Sequence, residues 1–235
     1  MSKLIAVNGP PGSGKTITSL KLAQEIYAIT HKPVMFVSPD HVIPTMGIIF
    51  PHSKQVKIQS IGKTLDRTNI YQDDVIAATN TTKFMENFGY LGYKTGEDQF
   101  TYPAPTDGKI TDMFQSMKQI AEYTVVDCDR DQNEQISSLA RGYADHIINL
   151  FNPNLQSMSF YGQNLIPEGT IKAMVILDKD LLLPQKEVIA HFRGTNAKIP
   201  YSRAVKQQSL NGTLTQFVKD AGYRHALTQL AKAVI

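Results

Sequence analysis

Short runs of apolar and β-branched residues alternate along the chain with longer stretches of mixed polarity. Within each short run the apolar residues are continuous, which is typical of strands buried on both faces of a sheet. The runs predict strands at 4–7, 34–37, 90–93, 124–126, 146–150 and 173–177. Apolar positions at helical spacing predict helices over 16–29, around 73–80 and over 110–121. The pattern predicts a doubly wound α/β fold, with a mostly parallel sheet and helices on both faces.

The middle and the tail of the chain have distinct patterns. The stretch 55–105 is the least regular, and its proline-containing segment 101–106 predicts a loop. The tail 213–235 predicts a helix with a break at Gly222. Apolar residues of this tail fall at helical spacing at Leu227, Leu230, Ala231 and Val234. Such a stripe either packs on the core or lies on a membrane surface, and its few basic residues favour core packing.

Composition places the chain among ordinary globular proteins. Of its 235 residues, 42% are hydrophobic and 19% are charged, which excludes wholesale disorder. The formal net charge of +3 does not by itself argue for nucleic acid. The one cysteine cannot form an intramolecular disulfide, and no apolar run approaches the ~20 residues of a membrane span, so we expect a cytoplasmic location. No linker or internal repeat interrupts the pattern, so we expect one domain over 1–235.

The first strand runs directly into a glycine-rich turn that opens the first helix. The turn matches the phosphate-binding pattern G-x-x-x-x-G-K-[ST] with the residues Gly9, Pro10, Pro11, Gly12, Ser13, Gly14, Lys15 and Thr16. Glycines let backbone amides converge on phosphate oxygens, and the helix N-terminus adds free N–H groups. We expect Lys15 to act on the β- and γ-phosphates and the Thr16 hydroxyl to take one Mg²⁺ position. The strand before the turn and the helix after it disfavour a chance match.

A phosphate loop also needs a carboxylate for its metal, usually at the tip of another apolar strand. Asp127 follows the strand 124–126 and is expected to bind Mg²⁺; the alternative is a plain helix cap. We expect the second strand to lie beside the first, so that the loop holding Asp40 leans over the γ-phosphate. There Asp40 either positions the attacking water and binds Mg²⁺ through water, or merely shapes a Pro-Asp turn. Asp129 and Asp131 are interpreted as loop carboxylates.

The order of these features resembles the ParA/MinD superfamily of cytoskeletal-type ATPases. Two later segments are similar as well: 144–154, where Ala-Asp precedes an apolar strand and a turn with proline, and 199–205, which begins Ile-Pro-Tyr. The second-strand segment and the compact size also resemble TadZ, the pilus-assembly branch. The resemblance implies ATP and Mg²⁺ as cofactors, with Asp178 near the base and Pro200 beside the adenine ring. It implies a homodimer that acts on a protein partner of a pilus, secretion or partition system. It also implies a location in the cytoplasm or peripherally at a membrane or nucleoid, and DNA or lipid are further candidate partners.

Four positions depart from the family's pattern. Pro10 replaces the signature lysine that follows the first loop glycine and reaches the partner's nucleotide across the dimer. Ser38 replaces the first acidic residue of the second-strand pair, which leaves Asp40 alone. The family's glycine is missing from 128–132, and Asp178 stands where an asparagine often reads adenine. The catalytic pair expected by resemblance is therefore Lys15 and Asp40, without the lysine that acts across the dimer.

Three functions remain open from the residues. The first is an ATP-dependent positioning switch with slow hydrolysis. The second is a small-molecule kinase, although arginines are sparse and none forms a pair in a candidate lid. The third is a nucleotide-binding scaffold without hydrolysis, which the missing lysine and glycine make plausible.

Overall fold

The computed structural model describes residues 2–51, 58–129, 131, 133–163, 166–178 and 183–235. The strands are β1 Lys3–Asn8, β2 Val34–Ser38, β3 Asn80–Thr82, β4 Met85–Gly92, β5 Tyr123–Asp127, β6 His146–Phe151, β7 Ile171–Val175 and β8 Ala197–Ile199. The helices are α1 Lys15–Thr30, α2 Met46–Ile49, α3 Ile61–Leu65, α4 Gln72–Ala78, α5 Asp107–Ile120, α6 Gln135–Tyr143, α7 Leu155–Gln163, α8 Gln185–His191, α9 Arg203–Leu210 and α10 Ala221–Lys232.

The strands form one sheet in the order β3-β4-β2-β5-β1-β6-β7-β8. Every pairing is parallel except that of β3 with β4, which confirms the predicted mostly parallel α/β fold. The expectation that the second strand lies beside the first is wrong, because β5 lies between β1 and β2. Parallel strands end at one edge of the sheet, so the segments after β1, β2, β5, β6 and β7 meet there.

Helices cover both faces of the sheet, because the central strands are apolar on both sides. In β1, Leu4 and Ala6 pack into one core layer, while Ile5 and Val7 pack into the opposite layer. Side chains of α3, α4, α5 and α6 fill the first layer, and those of α1 and α10 fill the second. A third cluster places α7 and α8 over Phe151 and Met174. Packing on both faces of the sheet therefore fixes the position of the turn that joins β1 to α1.

The irregular middle of the chain contains more structure than its pattern indicated. Positions 55–57 of that stretch lie outside the described residues, but α3, α4 and the β3–β4 pair all lie between 61 and 92. The predicted loop 101–106 contains neither a helix nor a strand, as expected. β3 and β8 were not predicted; each has only three residues, which is too short for a periodic signal.

The tail is helical over a shorter range than predicted. The helix α10 begins at Ala221, because the Asp220 carboxylate accepts a hydrogen bond from the Tyr223 amide at 3.0 Å and caps it. Gly222 lies in the first turn of α10, so the predicted helix break at this residue is wrong. The residues 213–220 are not helical. The predicted core packing is confirmed: Leu227, Leu230, Ala231 and Val234 are all buried. Among the described residues, none of the helices has the length and apolar character needed to cross a bilayer.

Candidate functional site

The glycine-rich turn joins the end of β1 to the start of α1 in a conformation that only its glycines allow. Gly12 has φ 71° and Gly14 has φ 76°, both in the left-handed region. Gly9 is packed so closely that a Cβ there would lie 3.1 Å from the Leu150 carbonyl oxygen. Glycine at 9 and 14 is what the phosphate-binding pattern requires, and Gly12, at a variable position of that pattern, is favoured by its positive φ.

A buried asparagine fastens this turn to the neighbouring strands. The Nδ2 of Asn152 donates to the carbonyl of Ser13 at 3.3 Å and to that of Val175 at 2.8 Å. Asn152 directly follows β6, and Val175 ends β7, so one amide group ties the turn to both strand ends. Asn8 is the last residue of β1, and its Nδ2 donates to the Oδ1 of Asn149 on the neighbouring strand β6 at 3.2 Å. These contacts hold the backbone of the turn in place without any ligand.

Asp127, at the end of β5, lies beside the first turn of α1. Its Oδ1 accepts from the Ser19 hydroxyl at 3.2 Å and its Oδ2 from the Ser38 hydroxyl at 3.3 Å. Burial raises the pKa of the Asp127 carboxyl above its ordinary value, and the charge of Lys15 and the hydroxyls of Thr16, Ser19 and Ser38 counteract that rise. A buried carboxylate that is costly to ionise gains from a cation placed beside it. The structure thus brings the predicted metal residues Asp127 and Thr16 together.

Asp40 and the glycine-rich turn face the same cavity. This cavity has a volume of about 370 Å³ and is lined by Pro10, Pro11, Gly12, Gly14, Lys15, Thr16, Ile17, Leu20, Asp40, Ile43, Thr45, Ile48, Ile49, Ser209 and Leu214. The Asp40 carboxylate also accepts hydrogen bonds from the amides of Val42 at 2.9 Å and Ile43 at 2.7 Å. Asp40 therefore shapes the turn after β2 and also lines the cavity, and both interpretations of this residue remain compatible with its geometry.

A second cavity lies on the other side of Gly14. It has a volume of about 240 Å³ and is lined by residues from the ends of β7 and β8, from α1 and from α9. Pro200 is among the lining residues, and its place beside the adenine ring stays a prediction. Asp178 directly follows the lining residue Leu177 but is exposed and stands outside the lining. Gly14, Ile17 and Ser209 line both cavities, so the two cavities adjoin each other along the start of α1, and we call the pair the groove.

The residues that sequence reasoning missed are those that support the predicted ones. Ser19 belongs to no motif, and Ser38 and Asn152 lie in segments of the ParA/MinD resemblance that gave them no such role; each meets its partner only because the sheet brings distant strand ends together. Thr18 is a further example, because its side chain hydrogen-bonds Tyr223 in the wall of the second cavity. In the part of the chain that the structure describes, no cluster of three or more His, Cys, Asp or Glu side chains could hold a metal ion by itself.

The doubly wound sheet, with a glycine-rich turn between β1 and α1, has the fold of P-loop nucleoside triphosphatases. The septum site-determining protein MinD from Pyrococcus horikoshii OT3, solved with Mg-ADP, is similar at a TM-score of 0.75 and 18% identity, over 100% of this chain and 96% of that chain. A ParA-family ATPase from Chlorobium tepidum TLS gives a TM-score of 0.78 at 12% identity, with 99% of each chain covered. MinD in the MinC:MinD cell division complex of Aquifex aeolicus gives 0.73 at 14% identity, over 99% of this chain and 95% of that chain.

No protein-family model matches the sequence, and no curated protein matches it. At these identities the likeness shows the fold, which is the one that the ParA/MinD resemblance implied. The narrower resemblance to TadZ stays a prediction.

Proposed function

We propose that the protein binds and slowly hydrolyses ATP and works as a ParA/MinD-like positioning switch. The observation that carries this proposal is the juxtaposition of Lys15 and Thr16, at the start of α1, with the buried Asp127 at the end of β5. The same arrangement in a fold shared with MinD and ParA-family ATPases supports ATP rather than another phosphate ligand. We further propose a cytoplasmic location, with peripheral attachment to a membrane or nucleoid depending on the partner.

We propose that different walls of the groove hold different parts of the nucleotide. Backbone amides of 12–16 would hold the phosphates, and Lys15 would neutralise the charge that grows on them during hydrolysis. The Thr16 hydroxyl and the Asp127 carboxylate are oxygen donors of the kind that Mg²⁺ prefers, so these two residues would hold Mg²⁺, which would supply positive charge beside the phosphates. The adenine ring would lie in the second cavity against Pro200. Asp40 would orient water from the opposite wall of the first cavity.

Exposed apolar side chains near the groove support pairing of two subunits over it. Val42 is 56% exposed and Ile43 51%, both in the turn held by Asp40, and Leu155 is 72% exposed at the start of α7. Gln156, the next residue, approaches Gly12 of the glycine-rich turn. Apolar side chains exposed beside a groove favour contact with another protein surface. We propose a homodimer, which a protein partner of a division, pilus or partition system then recognises.

One assay separates this function from its alternatives. Phosphate release is measured with ATP and Mg²⁺ alone and then with a panel of small hydroxyl and carboxyl acceptors, while calorimetry measures ATP binding. We expect slow release that needs no acceptor. Product formed only with an acceptor would establish a kinase, and tight binding without turnover would establish a scaffold. Absence of ATP binding would contradict the proposed function as a whole.

A further inference from the structure

Lys21 is a lysine buried inside the protein. It lies on α1, only 2% of its surface is exposed, and it carries no carboxylate partner among the hydrogen bonds it makes. Its ammonium group donates to the carbonyls of Leu214 at 2.6 Å and Gln216 at 2.9 Å, and to the Gln24 Oε1 at 3.0 Å. Three acceptors match the three donors of a lysine ammonium group. Glu25, the acidic residue one turn along, is already paired with Arg224 at 3.0 Å.

The two carbonyls belong to the non-helical segment that joins α9 to α10, which we call the 211–220 segment. Leu214 of this segment lines the larger cavity beside the glycine-rich turn, and Ser209, near the end of α9, lines both cavities. The segment therefore closes one side of the groove. Gln24 reinforces the contact, since its Nε2 donates to the same Leu214 carbonyl at 3.0 Å. Gln208 of α9 holds the same segment from its other side, since its Nε2 donates to the carbonyls of Gln216 at 3.3 Å and Phe217 at 3.0 Å, whereas the Leu214 carbonyl, at the cavity wall, accepts from Lys21 and Gln24 of α1.

The helix that provides these donors is the one that carries the phosphate contacts. α1 begins at Lys15, and Lys21 follows six positions later, which is about 9 Å along a helix axis. A rigid helix thus connects the first turn, where phosphates are expected, to the segment that walls the groove. Lys21 itself is not among the residues that line either cavity. It can act on a bound nucleotide only through the backbone that it holds.

We propose that Lys21 is a positioning residue that holds the 211–220 segment against α1 and so sets the width of the nucleotide groove. Stability alone does not account for a lysine here, because burying an ammonium group without a counter-charge is costly and an apolar side chain of similar length would avoid that cost. The hydrogen bonds that Lys21 donates give in return a fixed position for Leu214. This inference rests on the proposed nucleotide binding.

The test compares wild type with Lys21→Met, which keeps the length of the side chain and removes its donors. We expect ATP affinity by calorimetry to fall by about tenfold, the equivalent of one lost hydrogen bond of ordinary strength. We expect KM for ATP to rise by a similar factor, with kcat changed less than about twofold, because no group that faces the transferred phosphate is altered. Amide hydrogen exchange in 211–220 should quicken while exchange in the sheet stays unchanged. Lys21→Gln, which retains amide donors, should lie between the two.

Two further variants make the outcome decisive. Lys219→Met removes an exposed lysine of the same segment and should leave affinity and exchange unchanged. Leu214→Met keeps the carbonyl that Lys21 holds and nearly the whole volume of this buried side chain, so it should leave exchange in 211–220 unchanged. Wild-type affinity and unchanged exchange in Lys21→Met would overturn the proposal, as would a uniform rise in exchange across the molecule. If wild type itself fails to bind ATP, the proposed function is wrong, while the exchange comparison still decides whether Lys21 holds the segment.

Discussion

At the residue scale, Lys15 has the largest expected effect on nucleotide affinity. It lines the larger cavity together with the glycine-rich turn, in the place where phosphate charge is expected. Lys15→Ala removes a charge-assisted contact worth about 1.5–3 kcal/mol, so ATP affinity by calorimetry should fall by about tenfold to a hundredfold. Lys219→Ala, at an exposed position, is the control. Equal affinities in Lys15→Ala and wild type would refute the assignment of the phosphate site.

Asp127 offers a prediction in which stability and function change in opposite directions. Burial raises the pKa of this carboxyl, so the folded protein bears a cost for the ionised form at every pH above the unfolded pKa. Asp127→Asn removes that cost, and each kcal/mol recovered should raise the thermal midpoint by about 2–4 °C. The same change should abolish the gain in ATP affinity that Mg²⁺ provides, measured by titration with and without the metal. A lower midpoint combined with intact Mg²⁺ dependence would contradict both parts.

The sequence identified the contact residues of the candidate site better than their supports. The motif at 9–16 has fixed spacing because phosphate geometry demands it, so it can be read without a structure. The sequence suggests that Ser38 removes a functional carboxylate, since it stands where the ParA/MinD resemblance expects an acidic residue. In the structure its hydroxyl donates to Asp127, across a separation of 89 residues. Such a contact depends on which strand ends meet, and no local pattern encodes it.

At the scale of a single element, the turn after β2 tests what Asp40 does. Asp40→Asn keeps an Oδ1 acceptor for the amides of Val42 and Ile43 but removes the charge, whereas Asp40→Ala removes both. If Asp40 positions water, both variants should slow phosphate release by at least about tenfold and leave ATP affinity within about twofold. A slow Ala variant beside an Asn variant of wild-type rate would instead identify a purely structural turn. Phosphate release and calorimetry on the same preparations decide the matter.

The contact between α1 and the 211–220 segment should also make stability depend on pH. Burial lowers the pKa of Lys21 to about 7, from about 10.5 in an exposed lysine. Between these values the unfolded chain binds more protons than the folded chain, so the free energy of unfolding should rise with pH. Urea titrations from pH 7 to 9 should show wild type gaining up to about 1.4 kcal/mol per pH unit relative to Lys21→Met. Parallel curves for the two proteins would show that Lys21 stays charged.

Among the helices and strands, the sequence predicted those with long apolar runs or a clear helical period. The buried strands and α1 were found because continuous apolar runs and helical spacing extend over many residues. The tail was predicted as a helix from 213 although α10 begins at Ala221, because the residues before Asp220 are compatible with a helix. They are held in another conformation by Lys21 and Gln24, which lie almost 200 residues earlier in the chain. Tertiary hydrogen bonds therefore overrode a local propensity.

At the scale of the whole molecule, we expect Pro10 to weaken the coupling between ATP binding and the proposed pairing of subunits. The ParA/MinD resemblance implies face-to-face dimers in which a lysine at this position neutralises the partner's phosphates. Proline has neither a charge nor a backbone N–H to offer. Transition-state stabilisation from a cation supplied across an interface is worth ~10³–10⁵ in rate in other phosphoryl-transfer enzymes. We therefore expect slow basal hydrolysis, and a dimer that depends on protein surface more than on charge.

The dimer itself is the last prediction. Light scattering across a range of concentrations should show a mass near 26.1 kDa without nucleotide and a shift toward twice that mass with ATP and Mg²⁺. Val42→Ser should weaken the shift, since Val42 is 56% exposed in the turn beside the groove. Phe84→Ser is the matched control: Phe84 is 59% exposed but precedes β4, at the opposite edge of the sheet from the site. A monomer under all conditions would exclude the switch, whereas equal loss in both variants would place the contact elsewhere. A shift that survives Val42→Ser but disappears in Lys15→Ala would show that pairing depends on ATP binding and not on the turn that holds Val42.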